Sequence, residues 1–473
     1  MPDRSIADYK SFIESKSQSG HQNGFEPVWM PDFLSGRFAF QGALTDWALR
    51  EGRAAIFADC GLGKTPMQLV CAENVARKTG KRVLIVCPLA VAPQTVREGQ
   101  KFGIECTLSR TGETHRITVT NYERLHYFNP DDFVCAIGDE SGAIKAFDGK
   151  RRKQVVRFFS KLPYRFLFTA TPSPNDFIEL GTQSECLGVM TQSEMLGFFF
   201  RETQYMRHTV FREGDFWNQT KWAFKPHSEQ PFWRWVASWA RALRAPSDLG
   251  FPDDGFILPE LIYNQHVLDI PFIPEGELFH RPAITLREQR DERKRTVVPR
   301  AEKVASLLNH SEPGIAWCHF NEEGIEIAKR IPDAVEVAGR HDDDYKEAVL
   351  NDFALGNIRV LVSKPKIACW GMNYQHCGNM TFFPTFSFEQ FYQGVRRCWR
   401  FGRTAPVTVH VVSAEGESRV IDGLTIKQKQ SERMFASLVM HMNDALAMRG
   451  KDHHHETLNL PAWLEEQCPS STS

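Results

Sequence analysis

The chain is 473 residues long, contains 42% hydrophobic, 12% aromatic and 24% charged residues, and has a formal net charge of −1. This length exceeds what one hydrophobic core usually supports, so two or three domains are expected. The near-neutral charge excludes a global basic field as the means of binding nucleic acid, so any such binding must depend on local patches.

Short apolar runs alternate with helical patterns in both halves of the chain, which predicts parallel sheets wrapped by helices. In the first half, helices are predicted at 66–78 and 150–161, and strands at 53–58, 82–87, 117–120, 133–138 and 165–169. In the second half, strands are predicted at 314–320, 334–338, 359–363, 380–384 and 407–412. Because these runs are almost continuously hydrophobic, both sheets should be buried on both faces. The sequence therefore predicts an α/β fold of two lobes.

Residues 183–260 interrupt this alternation with a long, helix-prone stretch that is rich in Trp and Phe. A turn-rich segment at 245–252 has the composition of a linker. The aromatic residues either pack helices or offer a platform for stacking on bases, and the spacing in 232–239 favours packing. The predicted domains are a first lobe at 1–250 with a helical, aromatic-rich insertion at about 183–250, a second lobe at 251–450, and a polar tail at 451–473.

Three further features bear on the environment of the chain. Its eleven cysteines are scattered without a Cys-x-x-Cys pair, which predicts buried thiols in a reducing cytosol. No apolar run reaches the about 18 residues that a membrane span needs, and residues 1–20 lack the apolar stretch of a secretory signal. The mixed-charge run at 287–295 is interpreted as a solvated helix face.

The strongest single motif is Ala-Asp-Cys-Gly-Leu-Gly-Lys-Thr at 58–65, between a predicted strand and a predicted helix. This is the context of a phosphate-binding Walker A loop. Backbone N–H groups of Gly61, Leu62 and Gly63 can surround phosphates, and the helix N-terminus adds partial positive charge. Lys64 is expected to reach the β- and γ-phosphates of ATP, and Thr65 to ligate Mg²⁺.

Two carboxylates follow the strand predicted at 133–138. Because ligands bind at the carboxyl ends of strands in open α/β sheets, Asp139 is suited to hold Mg²⁺ and Glu140 to orient or deprotonate the attacking water. By itself an Asp-Glu pair is usually only solvated, and the loop at 58–65 makes the catalytic interpretation the stronger one. The Thr-Ala-Thr-Pro sequence at 169–172 also ends a strand, and we interpret it as a capped turn.

The second half contributes two arginines to the predicted site. Arg397 and Arg400 are three residues apart on a predicted helix that begins near 388, so they share one helix face. Both could point into an ATP cleft and stabilise developing charge, as arginine fingers do. The alternative is a basic helix face that pairs with surface carboxylates.

Taken in order, these motifs resemble those of superfamily 2 helicases and translocases over about 38–412, most closely the Swi/Snf-type branch with its small phage and bacterial members. The resemblance implies the cytoplasm of a prokaryotic cell or of a phage-infected host. Gly371-Met372-Asn373-Tyr374-Gln375 resembles the GxNxQ element of the second lobe, and the family's last motif matches Gln393, Arg397, Arg400 and Gly402. Phe40-Gln41 resembles the element that recognises adenine. The resemblance implies two tandem RecA-like lobes and ATP contacts from Phe40, Gln41, Gly371, Asn373 and Gln393.

The resemblance also implies a nucleic-acid surface. Cys87-Pro88-Leu89 and Thr120-Asn121-Tyr122-Glu123 resemble the contact motifs of the family's first lobe. Family members hold the phosphodiester backbone across both lobes, so sequence preference is expected to be weak. The candidate contact residues are Pro88, Thr120, Asn121, Arg124, Lys364 and Lys366.

Two positions depart from the family pattern. The DExH box reads Asp139-Glu140-Ser141-Gly142, without the final His that commonly communicates with the nucleic-acid site. The last motif ends in Arg403, where Swi/Snf members often carry Gln. These departures leave open both the route of coupling and the assignment between translocating and strand-separating branches.

The preferred hypothesis is a monomeric ATPase that uses ATP and Mg²⁺, is stimulated by nucleic acid and translocates on DNA, with double-stranded DNA as the track and no membrane partner. One alternative is a strand-separating helicase on forked or branched DNA or on RNA. Another is an ATP-gated remodeller that acts with a protein partner on protein–DNA complexes. An unrelated P-loop enzyme such as a kinase is disfavoured, because a kinase has no need of a second lobe that presents two arginines.

Overall fold

The computed structural model describes residues 24–146, 149–173, 177–203, 221–270, 286–369, 372–384, 387–414, 417, 429 and 432–441. Two parallel β-sheets organise these residues, and each sheet belongs to one half of the chain. Within the described ranges, no helix is both long and apolar enough to cross a membrane.

The first lobe contains a seven-stranded parallel sheet and a two-stranded antiparallel hairpin. Its strands are β1 (Arg53–Ala58), β2 (Val83–Cys87), β3 (Thr107–Leu108), β4 (Ile117–Asn121), β5 (Cys135–Asp139), β6 (Tyr164–Thr169), β7 (Phe200–Thr203), β8 (Lys221–Phe224) and β9 (Ala240–Leu243). Its helices are α1 (Ala39–Glu51), α2 (Lys64–Thr79), α3 (Ala92–Lys101), α4 (Gly149–Ser160), α5 (Leu180–Leu187), α6 (Gln192–Phe199) and α7 (Glu229–Trp239). The sheet order is β3-β4-β2-β5-β6-β1-β9, and β7 pairs with β8.

The second lobe contains a six-stranded parallel sheet in the order β10-β15-β14-β11-β13-β12. These strands are β10 (Leu261–Leu268), β11 (Gly314–Trp317), β12 (Ala334–Val337), β13 (Val360–Ser363), β14 (Asn379–Phe382) and β15 (Val407–Ala414). The helices are α8 (Leu286–Arg295), α9 (Val297–Leu307), α10 (Asn321–Arg330), α11 (Asp343–Ala354), α12 (Pro365–Ala368) and α13 (Phe388–Cys398).

Both faces of each sheet are covered, as the continuous apolar strands predict. Along β2, for example, Val83 and Ile85 enter one buried cluster, whereas Leu84 and Val86 enter a second cluster on the opposite face. Two further clusters cover the sheet of the second lobe. The predicted fold class of two α/β lobes is confirmed, and all ten predicted strands are present.

The segment predicted as a helical insertion differs from that prediction in part. It contains α6 and α7, but it also contains the hairpin β7–β8, and β9 joins the first sheet beside β1. Trp233, Trp235 and Trp239 are buried in the core of the first lobe, so the packing interpretation is confirmed for them. Trp217 lies outside the described residues. The chain passes from the first sheet to the second between 243 and 261, while the domain bounds themselves stay a prediction.

A short helix at 432–441 follows the second lobe but packs against the first. Its side chains Met434, Phe435 and Leu438 lie in the same buried cluster as the tryptophans of α7. The Arg244 guanidinium also donates to the Glu432 carbonyl at 2.6 Å. The chain therefore returns to the first lobe after completing the second sheet.

The basic run at 287–295 is not only a solvated face. Arg293 is buried, and its Nε donates to Glu417 Oε1 at 2.7 Å. Arg300, in α9, is buried beside it and donates to Glu323 Oε1 at 3.1 Å. The solvated-face interpretation is therefore wrong for Arg293, because the carboxylate of Glu417, which follows β15 in the chain, compensates its buried charge.

The cysteine prediction agrees with the structure where it can be compared. The ten cysteines in the described ranges are all free and buried, and Cys468 lies outside those ranges. Burial raises the pKa of the Cys106 thiol to about 11 and that of Cys186 to about 12. These thiols are therefore neutral packing residues at physiological pH.

Candidate nucleotide site between the lobes

The phosphate-binding loop at 58–65 connects β1 to α2, and its conformation requires two glycines. Gly61 and Gly63 adopt left-handed φ values of 90° and 77°. A Cβ on Gly61 would lie 2.9 Å from the backbone N of Phe401, and one on Gly63 would lie 2.2 Å from Gln41 Nε2. Any larger residue would therefore displace either the second lobe or the Gln41 side chain from the loop.

Two polar side chains hold this loop from within the first lobe. Lys64 Nζ donates to the Ala58 carbonyl at 3.0 Å and lies 3.5 Å from the Asp59 carbonyl. Gln41, from α1, is buried and its Nε2 donates to the Leu62 carbonyl at 3.1 Å. The residue expected to recognise adenine is thus in direct contact with the residues expected to hold phosphate.

Asp139 and Glu140 lie at the carboxyl end of β5, where the sequence predicts them. Gln68 Nε2, from α2, donates to Asp139 Oδ1 at 2.6 Å, and the Tyr122 hydroxyl donates to the Asp139 carbonyl at 2.9 Å. Glu140 has a left-handed φ of 48°, which is unusual for a residue with a side chain. Its Oε2 lies 3.5 Å from the Thr169 hydroxyl at the end of β6. Strained backbone of this kind clusters at functional sites.

The position of the missing histidine, Gly142, has no room for a side chain. A Cβ there would lie 2.5 Å from the Thr171 carbonyl and 3.2 Å from the Thr169 hydroxyl. The neighbouring Ser141 hydroxyl donates to Gln183 Oε1 at 3.1 Å. The turn after β6 therefore contacts the acidic motif directly, where family members use a histidine.

Helix α13 brings the predicted arginines of the second lobe to this site. Arg397 Nη2 donates to Glu140 Oε1 at 3.2 Å and also contacts the Gln393 amide. Gln393 Nε2 donates in turn to Thr171 Oγ1 at 3.1 Å. Burial alone would lower the pKa of Arg397, but neighbouring Cys60 and Glu140 raise it, so the guanidinium stays charged.

Arg400 lines the same cavity, but the helix ends at Cys398, so the prediction that both arginines share one helix face is wrong for Arg400. Its Nη1 lies 3.5 Å from the Met372 carbonyl. Burial and the neighbouring Arg397 charge lower the pKa of Arg400 from its ordinary value. An anion placed between these two arginines would therefore relieve their mutual repulsion.

A third arginine, in α13, was not identified from the sequence. Arg396 forms a short ion pair with Asp59 of the phosphate-binding loop, and the Tyr392 hydroxyl donates to Asp59 Oδ1 at 2.6 Å. Helical spacing selected Arg397 and Arg400 because they share a face, and Arg396 lies about 100° around the helix from Arg397. No spacing pattern in the sequence links residues 59 and 396.

A cavity of about 520 Å³ lies between the lobes, which is a suitable size for a small-molecule ligand. Its walls come from the phosphate-binding loop, the acidic motif, α3 and the end of α13. Predicted site residues in its lining are Gln41, Gly61, Gly63, Lys64, Thr65, Asp139, Glu140, Arg397 and Arg400. Phe38 and Phe401 add aromatic surface from opposite lobes.

Several predicted ATP contacts are placed elsewhere. Phe40 is fully buried and packs edge-on against Phe256 at 5.1 Å, so Phe38 and not Phe40 presents the aromatic face to the cavity. The Leu62 side chain is buried and its carbonyl accepts from Gln41, while the expected contact of its backbone N–H with phosphate stays a prediction. Gln393 links Thr171 to Arg397 and does not line the cavity. Asn373 accepts from the Gln375 N–H in a local turn, and Gly371 lies outside the described residues.

The predicted nucleic-acid residues divide into two groups. Thr120 and Asn121 are buried, and their polar groups are satisfied within the protein. The Thr120 hydroxyl donates to the Ser109 carbonyl, and the Asn121 side chain accepts from the Arg124 N–H. Asn121 thus caps the turn after β4, and Thr120 ties β4 to the segment after β3, so neither side chain faces outward. Pro88, Arg124 and Lys364 are half-buried and Lys366 is exposed, so these four remain accessible.

The oxygen donors of Thr65 and Asp139 fit a magnesium ion. Both line the cavity, and Mg²⁺ in nucleotide sites takes one or two protein oxygens together with phosphate oxygens and water. In the described part of the chain, no cluster of three His, Cys, Asp or Glu residues could hold a metal alone. This donor set suits a cation that enters with a nucleotide.

Burial, reinforced by the neighbouring Glu140 charge, raises the pKa of Asp139 from 3.8 to about 6. The folded protein therefore binds a proton at Asp139 that the unfolded chain has lost, and stability falls as pH rises between about 4 and about 6. We expect Asp139→Asn to raise the free energy of unfolding by roughly 1–3 kcal/mol at pH 7 and by much less at pH 4.5. Thermal unfolding at both pH values checks this, and an equal gain at both would contradict it.

Comparison with known proteins agrees with this architecture. Residues 37–174 match the family model described as the type III restriction enzyme, res subunit. A comparison with curated protein sequences gives no significant match.

Among solved structures, S. cerevisiae Dbp5 bound to RNA and ADP BeF3 is similar with a TM-score of 0.53 and 10% identity, over 87% of this chain and 98% of that chain. A Dbp5 variant from S. cerevisiae, bound to a Gle1 variant and IP6, gives a TM-score of 0.50 and 12% identity over 85% and 90% of the two chains. The Sulfolobus solfataricus SWI2/SNF2 ATPase core in complex with dsDNA gives a TM-score of 0.39 and 16% identity over 89% of this chain and 97% of that chain.

At these identities, the likeness to Dbp5 concerns the fold, which is that of two tandem RecA-like lobes. The match to the family model is confined to the first lobe, over residues 37–174. The predicted fold of two tandem RecA-like lobes is therefore confirmed, and the family match in the first lobe agrees with the resemblance described from the motifs.

Proposed function

We propose that this protein is a nucleic-acid-stimulated ATPase that couples ATP hydrolysis to translocation on DNA, with double-stranded DNA as the track. The contact that carries the proposal is the one between Arg397 of the second lobe and Glu140 of the first. Arg397 can stabilise negative charge and Glu140 is suited to activate water, and the two side chains meet only when the lobes are together. Hydrolysis that depends on the lobes meeting is what a motor needs in order to convert turnover into movement.

Each group in the cavity has a role in this scheme. Gln41 contacts the adenine, and Lys64 leaves the loop carbonyls to bind the β- and γ-phosphates. Magnesium held by Thr65 and Asp139 would neutralise phosphate charge. Glu140 orients and deprotonates the attacking water.

The two arginines complete the site from the second lobe. Arg397 and Arg400 stabilise the charge that develops on the transferred phosphoryl group. Because Arg397 lies in α13 and Arg400 follows two residues after its end, any separation of the lobes removes both side chains together. The chemical step and the lobe arrangement are thereby linked.

Movement along DNA would depend on accessible basic residues of both lobes that contact the nucleic-acid backbone. Arg124 follows β4 in the first lobe, and Lys364 and Lys366 follow β13 in the second. Both positions are carboxyl ends of parallel strands, on the same edges of the sheets as the ATP residues. Closing and reopening of the cleft would change the separation of these two groups on a nucleic-acid backbone and so advance the protein by a small step.

The resemblance of the motifs to the Swi/Snf-type branch favours DNA over RNA. Displacement of a triplex-forming strand tests translocation on duplex DNA, because a translocase removes the third strand without separating the duplex. We expect ATP-dependent triplex displacement, no unwinding of blunt or forked DNA and no RNA unwinding. Lys64→Ala, which removes the phosphate-binding ammonium, serves as the inactive control.

Other outcomes of this assay point to the alternatives. Unwinding of forked DNA or of an RNA duplex without triplex displacement would identify a strand-separating helicase. ATP-dependent DNA binding with neither activity would identify a remodeller of protein–DNA complexes. Either result would overturn the proposal of duplex translocation.

A further inference from the structure

The side chain of Asp59, in the phosphate-binding loop, is held mainly by the second lobe. Its Oδ1 accepts from the Tyr392 hydroxyl at 2.6 Å and from the Cys60 N–H at 2.6 Å. Its Oδ2 pairs with Arg396, whose Nη2 also donates to the Cys60 carbonyl at 3.3 Å. The backbone and a carboxylate of the loop are thus both engaged by one arginine of α13.

This ion pair is buried, unlike most ion pairs on the molecule. The side chains of Arg396 and Asp59 are 4% and 11% exposed. The Arg396 guanidinium lies 4.8 Å from the centre of the Trp399 ring, which adds a cation–π contact. Burial opposes the charged form, yet the Asp59 carboxylate holds the pKa of Arg396 above its ordinary value. A pair of this kind is costly to break, because removal of one partner leaves the other charge buried and uncompensated.

The pair lies next to the cavity without forming part of it. None of Asp59, Tyr392 and Arg396 contributes to the cavity lining, which begins at Cys60 on one side and includes Arg397 on the other. Asp59 directly precedes the residues that surround phosphate, and Arg396 directly precedes the arginine that meets Glu140. One contact therefore fixes the relative position of two catalytic elements on different lobes.

We propose that Arg396 is a positioning residue: by binding Asp59, it holds α13 against the phosphate-binding loop so that Arg397 reaches Glu140. The expected effect of Arg396 on turnover rests on the proposed ATPase function, whereas its effect on the position of the two lobes does not. Tyr392 supports the pair by neutral hydrogen bonding, because burial and the Asp59 charge raise the pKa of its hydroxyl well above the usual range.

A second ion pair between the lobes provides a matched control. Arg110, after β3, donates to Glu347 of α11 at 2.8 Å. The side chains of Arg110 and Glu347 are 43% and 36% exposed, so water screens their attraction and the pair contributes little. Arg110 also lies 3.6 Å from Asp344 of α11, which is 89% exposed. Removing Arg110 therefore removes one arginine and its interlobe contacts without leaving a buried charge uncompensated.

The test measures the lobe separation of the full chain by fluorescence resonance energy transfer between one dye on each lobe, without nucleotide and with ATP. We expect Arg396→Gln and Asp59→Asn each to raise the ratio of open to closed molecules by about tenfold, within the usual range of coupling between sites. The double variant should open no further than either single one, because both remove the same contact. Arg396→Lys, which keeps the charge, should recover part of the closure, and Arg110→Gln should change the ratio less than about threefold.

Turnover separates positioning from direct catalysis. Arg396→Gln is expected to lower kcat by about the same factor as it lowers the ratio of closed to open molecules. The KM for ATP should change less than about threefold, because Gln41 and Lys64 belong to the first lobe. Unchanged lobe separation in Arg396→Gln, or additive opening in the double variant, would overturn the inference. If the variants open the lobes as expected but the parent protein shows no nucleic-acid-stimulated turnover, the positioning contact stands and the proposed function fails.

Discussion

Replacing Arg397 by Ala is expected to lower the rate of ATP hydrolysis by roughly 10³–10⁵, which is the range for loss of an arginine finger in phosphoryl transfer. The guanidinium lies 3.2 Å from Glu140 and lines the cavity, so it is positioned for charge that develops during the reaction. ATP binding should persist, because Gln41 and Lys64 are in the other lobe. Single-turnover hydrolysis, measured together with nucleotide affinity, separates the two effects.

Two further variants make this result interpretable. Arg397→Lys keeps a positive charge but cannot reproduce the planar fork, so it should recover only a small part of the rate. Arg340→Ala removes an exposed arginine of the same lobe that pairs with Glu336 and should leave turnover unchanged. An Arg397→Ala protein that folds and hydrolyses ATP at the parent rate would contradict the assignment of this residue as a finger.

Replacing Glu140 by Gln is expected to lower kcat by about 10²–10⁴, the usual contribution of a general base. The amide keeps the shape of the side chain and can still accept from Arg397, but it cannot take a proton from water. Binding of ATP should stay within about threefold of the parent value. Rapid-quench measurement of the hydrolysis step checks the first expectation, and titration with a fluorescent ATP analogue checks the second.

Glu140→Gln should also lower the pKa of the neighbouring Asp139. The Glu140 charge contributes to the raised pKa of Asp139, second to burial. Glu140→Gln removes that charge, so the Asp139 transition should move to lower pH, as followed by NMR of the labelled carboxyl group. Parent-like turnover in Glu140→Gln would exclude it as the base, and an unmoved Asp139 transition would show that the two carboxylates do not interact.

Much of the fold could be predicted because parallel strands buried on both faces are recorded as continuous apolar runs. The strands that escaped prediction lie where this signal is weak. Strand β3 has only two residues, and β9 follows the tryptophan-rich α7 without a turn signal between them. Strand β10 alternates between half-buried and exposed positions, as expected of an edge strand, and no strand was predicted for its residues, which lie in the predicted second lobe.

The site was predictable where one local segment carries the chemistry. The phosphate-binding loop, the Asp139-Glu140 pair and the arginines at 397 and 400 each follow from residue type, spacing and strand–helix context. Phe40 was preferred to Phe38 because the motif fixes a pair of neighbours, whereas the helix turns Phe40 into the core. The inward side chain of Thr120 depends on the Ser109 carbonyl, which the pairing of β3 with β4 brings close, whereas Asn121 caps a local turn by accepting from the Arg124 N–H.

The contact between Asp59 and Arg396 is the clearest limit of sequence reasoning here. The two residues are 337 positions apart, and neither belongs to a spacing pattern. Their meeting depends on the docking of one lobe on the other. A pair of this kind becomes visible only when both lobes are placed together.

The central claim is that ATP hydrolysis by the two lobes depends on nucleic acid, and the rate of ATP hydrolysis with and without double-stranded DNA tests it most directly. We predict stimulation of at least about tenfold. With about six phosphate contacts, the apparent DNA affinity should fall with salt along a log–log slope of about −5. Turnover that is the same without nucleic acid, with duplex DNA, with single-stranded DNA and with RNA would contradict the account.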